Sequence, residues 1–162
     1  MVTSITNCEN VARILRRDWF EDGRLMHVAF ALRKGESYIS VNRPSVESFN
    51  DDVSNFVLNH FDYAFGEDFH EYCSAILNVG DIRDIHVLLE DEAIDIDVDV
   101  KSRDTHVRSH AGIFTRYENK NLKIGDNLSV EGEKMAISVD DILLKVRLQL
   151  LHKSKCFRTK LI

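Results

Sequence analysis

The chain has 162 residues, 44% of them hydrophobic and 30% charged, with a single proline, Pro44, and a formal net charge of −6. That length and balance suit one domain, 1–162, with a core that needs no disulfide or metal staple, and they exclude disordered and low-complexity classes. Cys8, Cys73 and Cys156 are odd in number and in no C-x-x-C spacing, residues 1–20 lack the apolar run of a signal peptide, and no stretch reaches the ~18 apolar residues of a membrane span. A reduced, cytoplasmic setting with no membrane partner is therefore expected.

In chain order, V-A-R-I-L-R-R-D-W-F carries both a helical spacing (Val11, Ile14, Leu15) and a possible alternation (Ile14, Arg16, Asp18) before the turn Glu21-Asp22-Gly23, so its type stays open. Lys34-Gly35-Glu36 reads as a turn, and S-Y-I-S-V-N has the β-branched and aromatic content of a strand that Pro44 ends. Asn50 is placed to cap a helix with Asp51 and Asp52 in its first turn and Val53, Phe56, Val57, His60 and Phe61 on one stripe. The same spacing in Phe69, Tyr72, Cys73, Ile76 and Leu77 predicts a second helix, stopped near Gly80.

I-H-V-L-L-E, residues 85–90, reads as a buried strand that can form a hairpin through Asp91-Glu92 with A-I-D-I-D-V-D-V-K, which alternates strictly from Ala93 to Lys101. The aspartates at 95, 97 and 99 share the two-residue spacing of a calcium loop. The interleaved Ile94, Ile96, Val98 and Val100 favour an extended backbone, on which same-face carboxylates point in parallel instead of converging, so a solvated strand face is expected and no metal is assigned.

A-G-I-F-T-R-Y, residues 111–117, is a further strand, followed by a connection rich in glycine and asparagine across 119–132. Ser138, Asp140 and Asp141 open a last helix with one stripe of Ile142, Leu143, Val146 and Leu150 and a second of Leu144, Leu148 and Leu151. So wide an apolar arc is either sandwiched within the fold or covered by a partner protein or a second copy, with Leu144, Leu148 and Leu151 as the interface. Residues 142–162 carry six cations and no acid, which leaves −12 for residues 1–141. The basic end is read as a complement to the helix dipole and the acidic body, and the acidity of that body weighs against nucleic acid as a partner.

The segment H-V-R-S-H, residues 106–110, with Arg103, Asp104 and Arg116 on its flanks, is cationic and hydroxyl-bearing, a composition suited to an anion. His106 and His110 lack the third ligand and nearby acid of a zinc site. His110 stands at the mouth of the A-G-I-F strand, where Gly112 permits a ligand or another backbone to come close. The remaining histidines, His27, His60, His70, His86 and His152, read as structural. No G-x-S-x-G elbow, Walker lysine or G-x-G-x-x-G occurs, and no cofactor is called for.

R-x-D-W-F-E-D-G-R-L, A-F-A-L-R-K-G-E, I-S-V-N-R and S-H-A-G-I-F together resemble a pattern in small bacterial proteins to which no activity is attached. The resemblance implies an order of elements and a shared pocket of Arg16, Ser40 and His110. An early arginine followed by a serine-bearing strand is also similar to the opening of ADP-ribosyltransferase-like folds, which would imply an NAD grip and a late glutamate, Glu131 or Glu133.

The fold expected is α+β, a mainly antiparallel sheet with helices on one face. Two functions follow as expectations. One is a bacterial interaction or accessory module working through its last helix. The other is a phosphate- or nucleotide-binding enzyme in which Arg16, Arg108 and His106 hold the ligand, His110 moves a proton and Ser40 orients.

Overall fold

In the computed structural model of the chain, which describes residues 4–89, 92–103, 105–129 and 137–161, strands distant in sequence assemble into one antiparallel sheet. The opening segment resolves as a strand, β1 (Asn10–Ile14). β2 (Phe20–Glu21) and β3 (Arg24–Leu25) form a tight hairpin whose two turn residues, Asp22 and Gly23, both sit at positive φ, a conformation in which glycine has no Cβ to clash. A 3₁₀ turn at His27–Phe30 then drops Phe30 into the core. β4 (Ile39–Asn42) is the expected S-V strand, and α1 (Phe49–Asn59) begins after Ser48, which holds the cap position expected of Asn50.

β5 (Glu71–Asn78) replaces the second helix predicted from residues 69–80. Tyr72 and Cys73, Ser74 and Ala75 are all buried, because this strand is covered on both faces. Two-sided burial erases the alternation of a half-buried strand and leaves an apolar run that fits a helical template by accident. Gly80 does not stop a helix; it lies inside the short α2 (Val79–Arg83), whose first turn is capped by Asn78 Oδ1 accepting from the Asp81 amide at 3.0 Å.

β6 (Val87–Leu89) and β7 (Glu92–Ile94) make a separate small hairpin. Asp91 lies outside the described residues, and Glu92 belongs to β7 and not to the turn. The alternating run breaks at Asp95, after which β8 (Ile96–Ser102) joins the main sheet with Ile96, Val98 and Val100 buried and Asp97 exposed, the orientation expected. Asp97 and Asp99 are not merely solvated. Arg116 bonds both, and Arg83 Nε reaches Asp99 at 2.8 Å.

β9 (His110–Tyr117) is the expected strand, followed by β10 (Lys120–Asn121), β11 (Asn127–Leu128), β12 (Ile137–Ser138), α3 (Val139–Lys153) and β13 (Lys155–Lys160). β13 corrects the reading of the basic end as part of a helix terminus: it pairs with β5 from Lys155↔Ile76 to Lys160↔Glu71, and Arg158 Nη2 meets Glu71 Oε2 at 2.8 Å.

Among the described residues the main sheet has seven strands in the order β10-β9-β4-β1-β5-β13, with β8 also on β9, and the fold class is α+β. β1 and β5 divide the core between two faces. Val11, Leu15, Ala75 and Leu77 pack with Ile82 of α2 and with Ile142, Val146 and Leu150 of α3, while Ala12, Ile14 and Tyr72 on the opposite side pack with Val53 and Val57 of α1. Grouping on one face therefore holds for α2 and α3, and α1 lies against the other. Full burial of each α3 side chain is worth at most roughly 1.5–3 kcal/mol. No helix among the described residues is long and apolar enough to cross a membrane.

Candidate functional site

Alternation along β1 puts Arg13 on the same side as the buried Val11 and Leu15, a position that normally takes an aliphatic side chain. The reason lies in the neighbouring ladder. β1 and β4 share one register pair, Ala12↔Asn42, and beyond it Arg13 takes over the role of main-chain pairing. Its Nη1 donates to the Ser40 carbonyl at 2.8 Å, its Nε donates to the Ala29 carbonyl at 3.0 Å, and the guanidinium lies 4.8 Å from the centre of the Trp19 ring. No carboxylate among the described residues forms an ion pair with it. Burial lowers its pKa from 12.5 to about 10, so the group stays charged at neutral pH.

Although Arg13 alternates to the Val11 and Leu15 side, the β1–β4 ladder has only the pair Ala12↔Asn42, and Arg13 is among the residues that line a cleft of about 620 Å³ with Ser40 and Asn42 of β4 and Asp52 and Phe56 of α1, a volume within the range of small-molecule sites. Ser40 and His110 stand on its sheet side. Asn42 pairs with His110 and Ser40 with Gly112, which makes Ser40 and His110 diagonal neighbours on one face, and Ser40 Oγ lies 3.3 Å from His110 Nε2. On the other side of the ring, Nδ1 is 3.4 Å from Thr105 Oγ1.

The tautomer follows from where the Thr105 proton goes. Thr105 donates it to the Val107 carbonyl at 3.1 Å, so toward His110 the hydroxyl oxygen can only accept. Nδ1 therefore carries the imidazole proton, and Nε2 offers its lone pair to Ser40. Burial and then the Arg103 charge hold the His110 pKa below its ordinary value, which keeps the ring neutral and able to take a proton at neutral pH.

Asp52, in the first turn of α1, joins helix and loop. Its Oδ2 accepts from the Ser109 amide at 3.0 Å, from Ser109 Oγ at 2.7 Å and from Ser48 Oγ at 2.8 Å. Burial pushes this carboxyl up, but the Ser109 and Ser48 bonds together with the Arg108 charge hold it below the usual carboxylate range. The pin keeps His106 and Val107 over the cleft.

Along α1 the predicted stripe splits. Val53 and Val57 are buried, whereas Phe56 remains 37% exposed and turns with His60 into the cleft. The two rings stack at 4.5 Å with 24° between planes, and Tyr63 meets Phe56 edge-on at 4.7 Å. Arg33 and Glu36 close the remaining side, with Glu36 Oε1 accepting from the Arg33 amide at 2.7 Å.

Ser40, His106 and His110 thus share one cleft. Arg16 does not line it: its guanidinium is held by Asp18 at 3.1 and 3.2 Å and by Asp62 at 3.5 Å, and Arg13 fills the place expected of it. Arg108 stays outside the lining and acts on Asp52 through its charge. Gly112 admits the Tyr38 ring and not a ligand, since a Cβ there would come within 2.6 Å of Tyr38 Cδ2. On α3, Leu144 and Leu148 are 37% and 45% exposed, whereas Leu151 is half-buried against the core. Glu131 and Glu133 lie outside the described residues.

The sequence reading missed Arg13, Arg33, Asp52, Phe56 and His60. Arg13 carries one signal, a cation between the apolar Val11 and Leu15; Phe56 and His60 read as part of the single apolar stripe of α1, and nothing in the sequence marks Arg33 or Asp52. No protein-family model matches the chain, and neither a curated protein nor a solved structure matches it.

Proposed function

We propose that the cleft binds a small phosphate-bearing molecule and handles a proton on it. Arg13 carries this reading. It is a charged, partly buried guanidinium held by two carbonyls and an aromatic face, acted on by the Glu36 charge but in no ion pair among the described residues. Such a group binds an anion without first having to break an internal ion pair. Arg33 adds a second cation on the same wall.

His110 supplies the chemistry in this reading. Its unprotonated Nε2 accepts a proton from Ser40 Oγ, or from a ligand hydroxyl that takes that position, while Thr105 fixes the ring. Free thiols at Cys8, Cys73 and Cys156 suit the cytoplasmic setting expected from the sequence. Calorimetric titration of pyrophosphate at low ionic strength tests the proposal. Saturable binding that Arg33→Gln weakens several-fold and Arg13→Gln removes supports it; no saturable binding to the wild-type chain overturns it.

A second reading, a module that self-associates, is favoured by Leu144 and Leu148, which lie one turn apart on α3 and both remain exposed. Light scattering on a sizing column tests it. A dimer that Leu144→Glu dissociates supports the reading, and a monomer at high concentration overturns it.

A further inference from the structure

We propose that the ligand of this cleft carries a planar aromatic ring beside its anionic group, which places it in the nucleoside monophosphate class. The inference rests on the anion-binding reading above and adds the second half of the molecule. α1 is anchored through Val53 and Val57, so Phe56 and His60 contribute little to that anchoring and stand as a stacked pair in a cleft wall that also carries Ile14, Tyr63 and Val107.

The pair is held in advance of any ligand. His60 Nδ1 donates to the Phe56 carbonyl at 2.8 Å, which fixes the imidazole plane and leaves Nε2 as an acceptor, and Tyr63 braces Phe56 edge-on. An exposed aromatic face fixed in this way gives a flat heterocycle a stacking surface at little entropic cost, and stacking tolerates any of the common bases.

The ring end is continuous with the cationic end. Arg13 lies over Trp19, Trp19 meets Tyr63 at 5.9 Å, and Tyr63 meets Phe56, so one row of side chains runs from guanidinium to aromatic shelf. Asn59 donates through Nδ2 to the Asn55 carbonyl at 2.7 Å, and its amide oxygen remains to accept from a base N–H. Ser40 and His110 line the same cleft and offer a hydroxyl and an imidazole to the hydroxyls of a sugar.

Calorimetry on the full chain tests this with the four nucleoside monophosphates AMP, GMP, CMP and UMP, the nucleoside of the tightest of them, ribose 5-phosphate and pyrophosphate. The expected result is a monophosphate that binds at least about tenfold more tightly than ribose 5-phosphate, with Phe56→Ala removing that advantage while the ribose 5-phosphate affinity stays unchanged. Phe56 lies outside both buried clusters, and an unchanged circular dichroism spectrum checks that the variant folds. Equal affinity for ribose 5-phosphate and all four monophosphates overturns the ring inference and leaves the anion reading standing. Nucleoside binding as tight as its monophosphate overturns the anion reading and with it the nucleotide class. No binding by any of the probes overturns both.

Discussion

Ser40 Oγ and His110 Nε2 lie 3.3 Å apart although their residues are 70 positions apart in the chain, because β4 and β9 pair in a register that makes them diagonal neighbours. Burial and then the Arg103 charge depress the imidazole pKa, so a proton-detected titration of the ring places its midpoint below 6.5, and Arg103→Gln moves it upward by removing the opposing charge. The linked stability has a definite sign. The folded chain holds fewer protons than the unfolded chain between the two pKa values, so the contribution of the neutral ring is complete above pH 6.5 and is lost as pH falls through the depressed value. Denaturation midpoints followed from pH 7.5 downward, in the wild type and in His110→Gln, measure it.

Gly112 gives a packing prediction. Tyr38 lies on this residue, packs against Phe114 at 5.1 Å and flanks His110 at 5.9 Å, so a methyl group at 112 displaces the ring that borders the imidazole. Gly112→Ala costs about 1–3 kcal/mol in urea denaturation, the usual range for forcing extra volume into a packed site. Tyr38→Ala in the same chain recovers part of that cost, and the departure from additivity measures the contact.

Asp52 is expected to matter beyond its charge. Asp52→Ala leaves the Ser109 amide, fully buried, without its acceptor and destabilises the chain by about 1–3 kcal/mol. Because the folded carboxyl titrates below the ordinary 3.8, its contribution is present above that value and is lost as pH falls through the lower folded one. Acid denaturation of the wild type beside Asp52→Asn separates this group from the other carboxylates.

Legibility in the sequence followed the physics of exposure. β8 was readable because one face is buried and one is wet, so Ile96, Val98 and Val100 alternate with aspartates. β5 was misread because it has no wet face, and β13 went unseen because its six residues are all exposed and carry no apolar period at all. His106 and His110 were singled out from side-chain chemistry, which is local, and Ser40 from the shared motif pattern; all three line the cleft. Arg13 was not, because its role depends on where the β1–β4 ladder ends, and that is set by strands far apart in the chain. The choice of Arg16 came from a shared pattern of short motifs and missed the cleft by three positions.

The division of the core between the two faces of the sheet has a consequence for motion. The cluster under α1 holds six buried residues, far fewer than the one beneath α3, so the smaller layer can detach as a unit while the larger remains intact. Amide hydrogens of Val53 and Val57 should then exchange with deuterium well ahead of those of Val146 and Leu150. One wall of the cleft would thus open and reclose on a sheet that stays folded, giving a ligand a way in and out.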